Sequence, residues 1–101
     1  MELYQLRQFA AVAKYENMTR AAESLNVAQP AVSKTIRNLE SELGAELFER
    51  TGKGLRRTEQ GDILLRYART ILEAERDARL FEGDIFFICF FGRLGRVLIA
   101  D

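Results

Sequence analysis

Histidine is absent from this chain of 101 residues, and cysteine and proline occur once each, as Cys89 and Pro30. Without histidine there can be neither a His-based catalytic triad nor a His metal site. A single thiol excludes an internal disulfide and a cysteine zinc cluster, and it fits a reducing cytosol. No apolar run follows a basic start, so no secretory signal is visible. Net charge is missing as well, because fifteen Lys and Arg offset fifteen Asp and Glu. Whole-chain charge therefore offers nothing to an acidic partner, and only its local distribution can. The apolar run Ile85–Phe91 is seven residues long and is soon followed by Arg93 and Arg96. Spanning a bilayer takes roughly 20 residues, so no membrane partner is expected.

The length suits one small domain with one core and an arm besides. Charge is unevenly spread along it. From Arg50 to Thr58 there are four cations, Arg50, Lys53, Arg56 and Arg57, and no anion. The acids gather at Glu40, Glu42, Glu46 and Glu49, and between Asp62 and Asp77.

Leu3, Leu6, Phe9, Ala10, Val12 and Ala13 space as the wide apolar face of a first helix over 2–15, whose role is core. Glu16-Asn17-Met18 reads as a short loop. Thr19 is an expected N-cap for a second helix carrying Ala21, Ala22 and Leu25 on one side. Asn26 suits the left-handed position past its end. Pro30 fits the first position of a third helix, where a missing N–H has no consequence. That helix has Val32, Ile36, Leu39 and Leu43 as a stripe that must face a core. At 100° per residue, Pro30, Ser33, Lys34, Arg37 and Ser41 fall roughly opposite. Gly44 suits the left-handed position that ends it. Two helices joined by a four-residue turn, the second presenting a small, polar and cationic face, read as a helix-turn-helix. Lys and Arg are ordinary solvent residues on any surface helix, so the neighbouring segments decide the reading.

Leu47 and Phe48 before Thr51-Gly52-Lys53-Gly54, and Leu55 after it, look like anchors of two short arms. The glycines offer positive φ for a tight turn, which predicts a small β-hairpin. Placed after a recognition-type helix, a hairpin with a cationic tip is the wing of a winged helix-turn-helix. Arg50 and Lys53 could then reach phosphates or a minor groove. Thr58 can cap a long fourth helix from Glu59 to about Phe81. Along it Leu64, Tyr67, Ile71, Ala74, Ala78 and Phe81 follow a heptad seam. Such a helix is too long to bury against the preceding 58 residues. A twin helix from a second subunit is the economical partner, giving a homodimer or a higher homo-oligomer. The fold class expected is mainly α: a winged helix-turn-helix with a small hairpin wing and a long C-terminal dimerisation helix.

The opening Leu3-x-x-Leu6-x-x-Phe9, then Thr19-x-Ala21-Ala22-x-x-Leu25, then Gln29-Pro30-Ala31-Val32-Ser33-Lys34-x-Ile36 recur in one order with further marks downstream. Those are Leu39-Glu40-x-x-Leu43-Gly44-x-x-Leu47-Phe48-x-Arg50 and Leu55-x-x-Thr58-x-x-Gly61. Together they resemble the N-terminal DNA-binding domain and linker helix of the LysR-type transcriptional regulators of bacteria. The resemblance implies three regions: a winged helix-turn-helix over 1–58, a linker and dimerisation helix over 59–82, and an apolar tail over 83–101. In that tail Leu94–Ala100 resembles the first strand of an effector-binding domain. Ile85–Phe91 has no counterpart in the family.

The same resemblance implies roles at a DNA site. Gln29 would read a base edge, and an amide can pair bidentately with adenine. Pro30 would touch a base or sugar, Ser33 a phosphate or base, and Lys34 guanine or a phosphate. Thr19, Arg20 and Arg37 would hold the backbone, while Arg50 and Lys53 would act from the wing. Family members often carry arginine at the places of Lys34 and Lys53, and a lysine lacks the planar fork. Ala28 stands where a hydroxyl residue is common. The function implied is sequence-specific binding of double-stranded DNA at an inverted repeat, in the bacterial cytoplasm and on the nucleoid. No cofactor is implied, and any small-molecule effector would bind a domain absent from these 101 residues. The alternative is a protein-interaction module that forms mixed dimers with a full-length relative. An enzyme is disfavoured, with no histidine, no paired carboxylates in a pocket and no phosphate loop.

Overall fold

The computed structural model describes residues 1–80. The residue Phe81, the tail 83–101, its run Ile85–Phe91 and the strand expected over Leu94–Ala100 lie outside the described residues. The elements are α1 (Leu3–Tyr15), α2 (Met18–Leu25), α3 (Gln29–Leu43), β1 (Phe48–Thr51), β2 (Gly54–Arg57) and α4 (Glu59–Leu80). Among the described residues, no helix is long and apolar enough to cross a membrane.

The first three helices surround one core. Phe9, Val12, Val32, Leu39 and Leu47 are its largest fully enclosed side chains. Phe9 meets Phe48 from the hairpin with ring centroids 5.4 Å apart and a 46° tilt, within the separation at which aromatic rings attract. The stripe read on α3 is buried at Val32, Ile36 and Leu39, but Leu43 is 43% exposed. Leu43 sits in the last turn, and the chain leaves through Gly44 at φ 66° before the core closes over it.

The capping of α2 differs from the expectation. Asn17, extended at φ −158°, is the N-cap, and its Oδ1 accepts the Arg20 N–H at 2.9 Å. Thr19 therefore lies inside the first turn, and Met18 is helical rather than part of a loop. An Asn three residues before a free amide satisfies it as well as a Thr does, and starting earlier lets Met18 pack against the core. In α3, Ala28 is the flanking residue and Gln29 the first helical one. Pro30 thus stands second, still in the turn whose N–H groups have no intrahelical partner. Asn26 and Gly44 are left-handed as expected, and Glu16 joins them at φ 51°.

β1 and β2 pair antiparallel from Phe48↔Arg57 to Thr51↔Gly54, leaving Gly52 and Lys53 as the turn. The Thr51 hydroxyl accepts the Lys53 N–H and donates to the Gly54 carbonyl, both at 3.2 Å. Of the two glycines only Gly54 has positive φ, at 130°, so Gly52 is not required for its backbone. A Cβ on Gly54 would also come within 3.0 Å of the Glu16 carbonyl oxygen. That oxygen accepts the Leu55 N–H at 3.2 Å, so the hairpin is fastened to the α1–α2 corner. Arg57 adds a second tie: Nη1 donates to the Ala13 carbonyl at 3.0 Å and Nε to Asp62 at 2.7 Å. Arg57 is thereby a structural cation. Glu40 accepts the Leu47 N–H at 2.8 Å, so one acid of its cluster holds the chain between α3 and β1.

Thr58 caps α4, its hydroxyl accepting the Gly61 N–H at 3.0 Å. Two apolar stripes run along α4. Gly61, Leu65, Ala68 and Leu72 turn toward α1 and the core. Glu75 continues that stripe, its two oxygens each 3.1 Å from Arg7 Nη1 on α1 and one of them 2.7 Å from Arg79. The stripe read as a seam lies beside it. Leu64 is half-buried, whereas Tyr67 is 65% and Ile71 41% exposed, and Ala74 and Ala78 are exposed. Leu43, Ala45, Leu47, Ile63, Leu64 and Tyr67 line an apolar groove at its upper end.

Candidate nucleic-acid interface

The outer face of α3 begins with Gln29 and Pro30, continues through Lys34 and Arg37, and is exposed at all four, with Ser33 half-buried. It is polar here because the stripe Val32, Thr35, Ile36 and Leu39 fills the inner face. Gln29 does not hang free, since its Nε2 donates to the Ser33 hydroxyl one turn later at 2.8 Å. Packing of α3 on α1 and α2 holds this face rigidly outward, and the αL residues Glu16 and Asn26 set the angles between the helices.

Three residues singled out from different segments meet around one concavity. Thr19 from α2, Gln29 from α3 and Arg50 from β1 line it, with Asn17, Thr51 and Leu55. Lys53 lies on the adjoining hollow with Arg56 and Arg57. Arg20 points to a different neighbour: its guanidinium lies over the Tyr15 ring, 5.8 Å from the centroid, and Lys14 Nζ lies 5.2 Å from the same centroid. Arg37 and Lys34 are not brought to the concavity but stay along α3. Sequence reasoning passed over Tyr15, Lys14 and Asn17. An aromatic beside Lys14 was visible, but its meeting with Arg20 depends on the left-handed corner at Glu16.

The cations differ in what they touch. Among the described residues, Arg7, Arg57 and Arg79 are the side-chain cations in ion pairs. Arg20, Lys34, Arg37, Arg50 and Lys53 form none among the described residues, and all five are exposed. The paired cations hold α4 and the hairpin in place; these five unpaired ones lie around α3 and the hairpin. Lys14, Arg56 and, along α4, Arg66, Arg69 and Arg76 also form no ion pair among the described residues. Glu49 faces Arg56 across the hairpin, so Arg56 has an acid opposite it.

A three-helix core whose second and third helices are joined by a short turn, with a docked hairpin, defines a winged helix-turn-helix protein. Residues 3–62 match the family model described as bacterial regulatory helix-turn-helix protein, lysR family. The chain belongs to that family. It is 48% identical over 77 residues to the RuBisCO operon transcriptional regulator of Allochromatium vinosum, covering 76% of this chain and 26% of that protein. It is likewise 48% identical over 73 residues to the transcriptional regulator PcaQ of Agrobacterium fabrum, covering 72% and 24%. The chain thus spans about a quarter of the length of these relatives. Among solved structures it resembles the BenM DBD in complex with catB site 1 DNA, at TM-score 0.79 and 38% identity over 84% of this chain and 96% of that one. The CbnR DBD–DNA complex gives TM-score 0.74 and 40% identity, over 84% and 99%.

Proposed function

We propose that this chain is the sequence-specific, double-stranded DNA-binding module of a bacterial transcriptional regulator, working from the cytoplasm as a two-fold dimer. The observation that carries this is the set of exposed, unneutralised cations around a rigid α3, joined to a hairpin that is bonded to the same body. Its relatives are named as transcriptional regulators, and we take the role to be binding rather than catalysis. The reading has α3 entering a major groove, with Gln29, Pro30, Ser33 and Lys34 nearest the bases. Thr19, Arg20 and Arg37 lie toward the phosphates, and Arg50 and Lys53 act from the wing. Cations supply salt-dependent affinity and base-edge contacts supply choice of sequence. The exposed stripe Tyr67, Ile71, Ala74 and Ala78, with Leu64 at its edge, meets its copy across the dimer axis. Two recognition helices so related predict an inverted repeat with half-sites about one helical turn apart. The working division is then 1–58 as the DNA-contacting domain and 59–82 as the dimerisation helix.

Selection from random duplexes with the purified chain tests this directly, because an enriched inverted repeat requires binding, symmetry and spacing together. Failure to enrich any sequence at low salt would sink it. On the enriched site, Gln29→Ala is expected to weaken binding by about 1–3 kcal/mol and to relax preference at one base pair. Equal weakening on a scrambled duplex would show that Gln29 is not a reader. Lys53→Ala is expected to weaken all sequences alike and to lower the slope of log K against log salt by roughly 1. An unchanged slope would remove the hairpin tip from the contact surface.

A further inference from the structure

We infer that Ser33 is a positioning residue for Gln29, setting sequence choice through the glutamine rather than through a contact of its own with phosphate. The inference rests on the DNA-binding reading above and assigns the inner workings of that same surface. Gln29 stands at the first position of α3, exposed, with three side-chain torsions before its amide. An exposed glutamine of that kind is free to sample many rotamers, and fixing it on DNA carries an entropic penalty. Here the penalty is met in advance. Gln29 Nε2 donates to Ser33 Oγ at 2.8 Å across one helical turn, the spacing at which side chains on one helix face meet.

The chemistry of the pair decides what remains available. A primary amide carries two N–H groups on its nitrogen and a carbonyl oxygen. With one N–H spent on Ser33, the other N–H and Oε1 remain. Those are the donor and acceptor that the N7 and N6 edge of adenine takes. Serine suits the partner position, since it is half-buried beside the core stripe and its hydroxyl rotates to accept. Accepting from Gln29 uses a lone pair and leaves the Ser33 O–H free to donate, so positioning and a phosphate contact are separated by the double substitution below. Among the described residues, Gln29 is the side chain hydrogen-bonded to the Ser33 hydroxyl.

The test uses the full chain and duplexes enriched by it from a random library, each contacted base pair then varied to all four. Ser33→Ala is expected to reduce discrimination at the base pair that Gln29→Ala also relaxes, by about three- to tenfold, with preferences elsewhere unchanged. Combined with Gln29→Ala, Ser33→Ala should add nothing further, which is the signature of a residue acting through another. Ser33→Thr, which keeps the hydroxyl, should restore the preference. Both substitutions sit on a helix surface, and far-UV circular dichroism with the melting curve verifies folding before binding is compared. Equal weakening on every sequence, persisting in the Gln29→Ala background, would overturn the inference and make Ser33 a backbone contact. Wild-type protein that shows no base preference anywhere would instead overturn the DNA-reading function itself, so the two failures are distinct.

Discussion

Ile71→Asp is expected to convert the protein from dimer to monomer and to lower affinity for the full inverted repeat by about 10²–10⁴-fold, with affinity for a single half-site preserved. The expectation starts from α4. Its inner stripe is already committed to α1 and the core through Leu65, Ala68 and Leu72. Ile71 belongs to the other stripe, 41% exposed beside a Tyr67 that is 65% exposed. Large apolar side chains repeating at heptad spacing on an otherwise charged helix mark an interaction surface more than a solvent face. An aspartate at the middle of that stripe would place two like charges close together across the dimer axis and bury both, which desolvation makes strongly unfavourable. Because Ile71 points away from its own core, the monomer should melt as before. Sedimentation velocity reads the outcome: a profile that stays dimeric refutes the stripe as interface. A monomer that still binds the full repeat like wild type refutes the coupling between the two half-sites.

The second large effect lies at Gly61. Replacing it with Val is expected to destabilise the fold by about 3 kcal/mol, lowering the melting temperature on the order of 15 °C. A Cβ at this position would lie 2.2 Å from the Leu47 carbonyl oxygen and 3.2 Å from its carbon. The obstacle is backbone, so no rotamer change relieves it. That oxygen also accepts the Thr58 N–H at 3.0 Å, and Leu47 itself is only 1% exposed. Moving it would disturb the cap of α4, the start of the hairpin and the core at once. Gly52→Ala is the control, because it has nothing within 4 Å and no positive φ, and its stability should match wild type. A Gly61→Val melting curve that overlays the control would show that α4 does not approach the Leu47 backbone this closely. With the dimer stripe proposed on α4, the same substitution should also disturb dimer geometry and hence preference for half-site spacing.

Much of this was legible in the residues before any coordinates. Helix order, the left-handed stops at Asn26 and Gly44, the hairpin around Gly52-Lys53 and the long helix after Thr58 all follow from short-range rules. Those rules are the period of apolar residues, the backbone freedom of Asn and Gly, and the capping chemistry of Thr. The order of the motifs further carried the family, and the polar face of α3 carried the place where a site should be sought. The departures were local: Asn17 rather than Thr19 caps α2, and of the two turn glycines expected to supply positive φ only Gly54 does. Each was decided by how α1, α2 and the hairpin fit together.

What the chain determines by itself is therefore which segments are helical, which faces are apolar, and which charges lie near one another along the sequence. Only the tertiary structure decides which cations are spoken for. Arg57 is read from sequence as one more charge of the wing, yet contact with Ala13 and Asp62, 44 and five residues away, makes it a strut. Arg50 and Lys53 in the same run stay uncommitted. Likewise the sequence shows the seam Leu64, Tyr67, Ile71, Ala74 and Ala78 on α4, whereas packing on α1 takes the neighbouring Leu65, Ala68 and Leu72 and leaves most of that seam outward. The physical reason is shared: hydrogen bonds, ion pairs and burial depend on distance in space, and a linear pattern carries only distance along the chain.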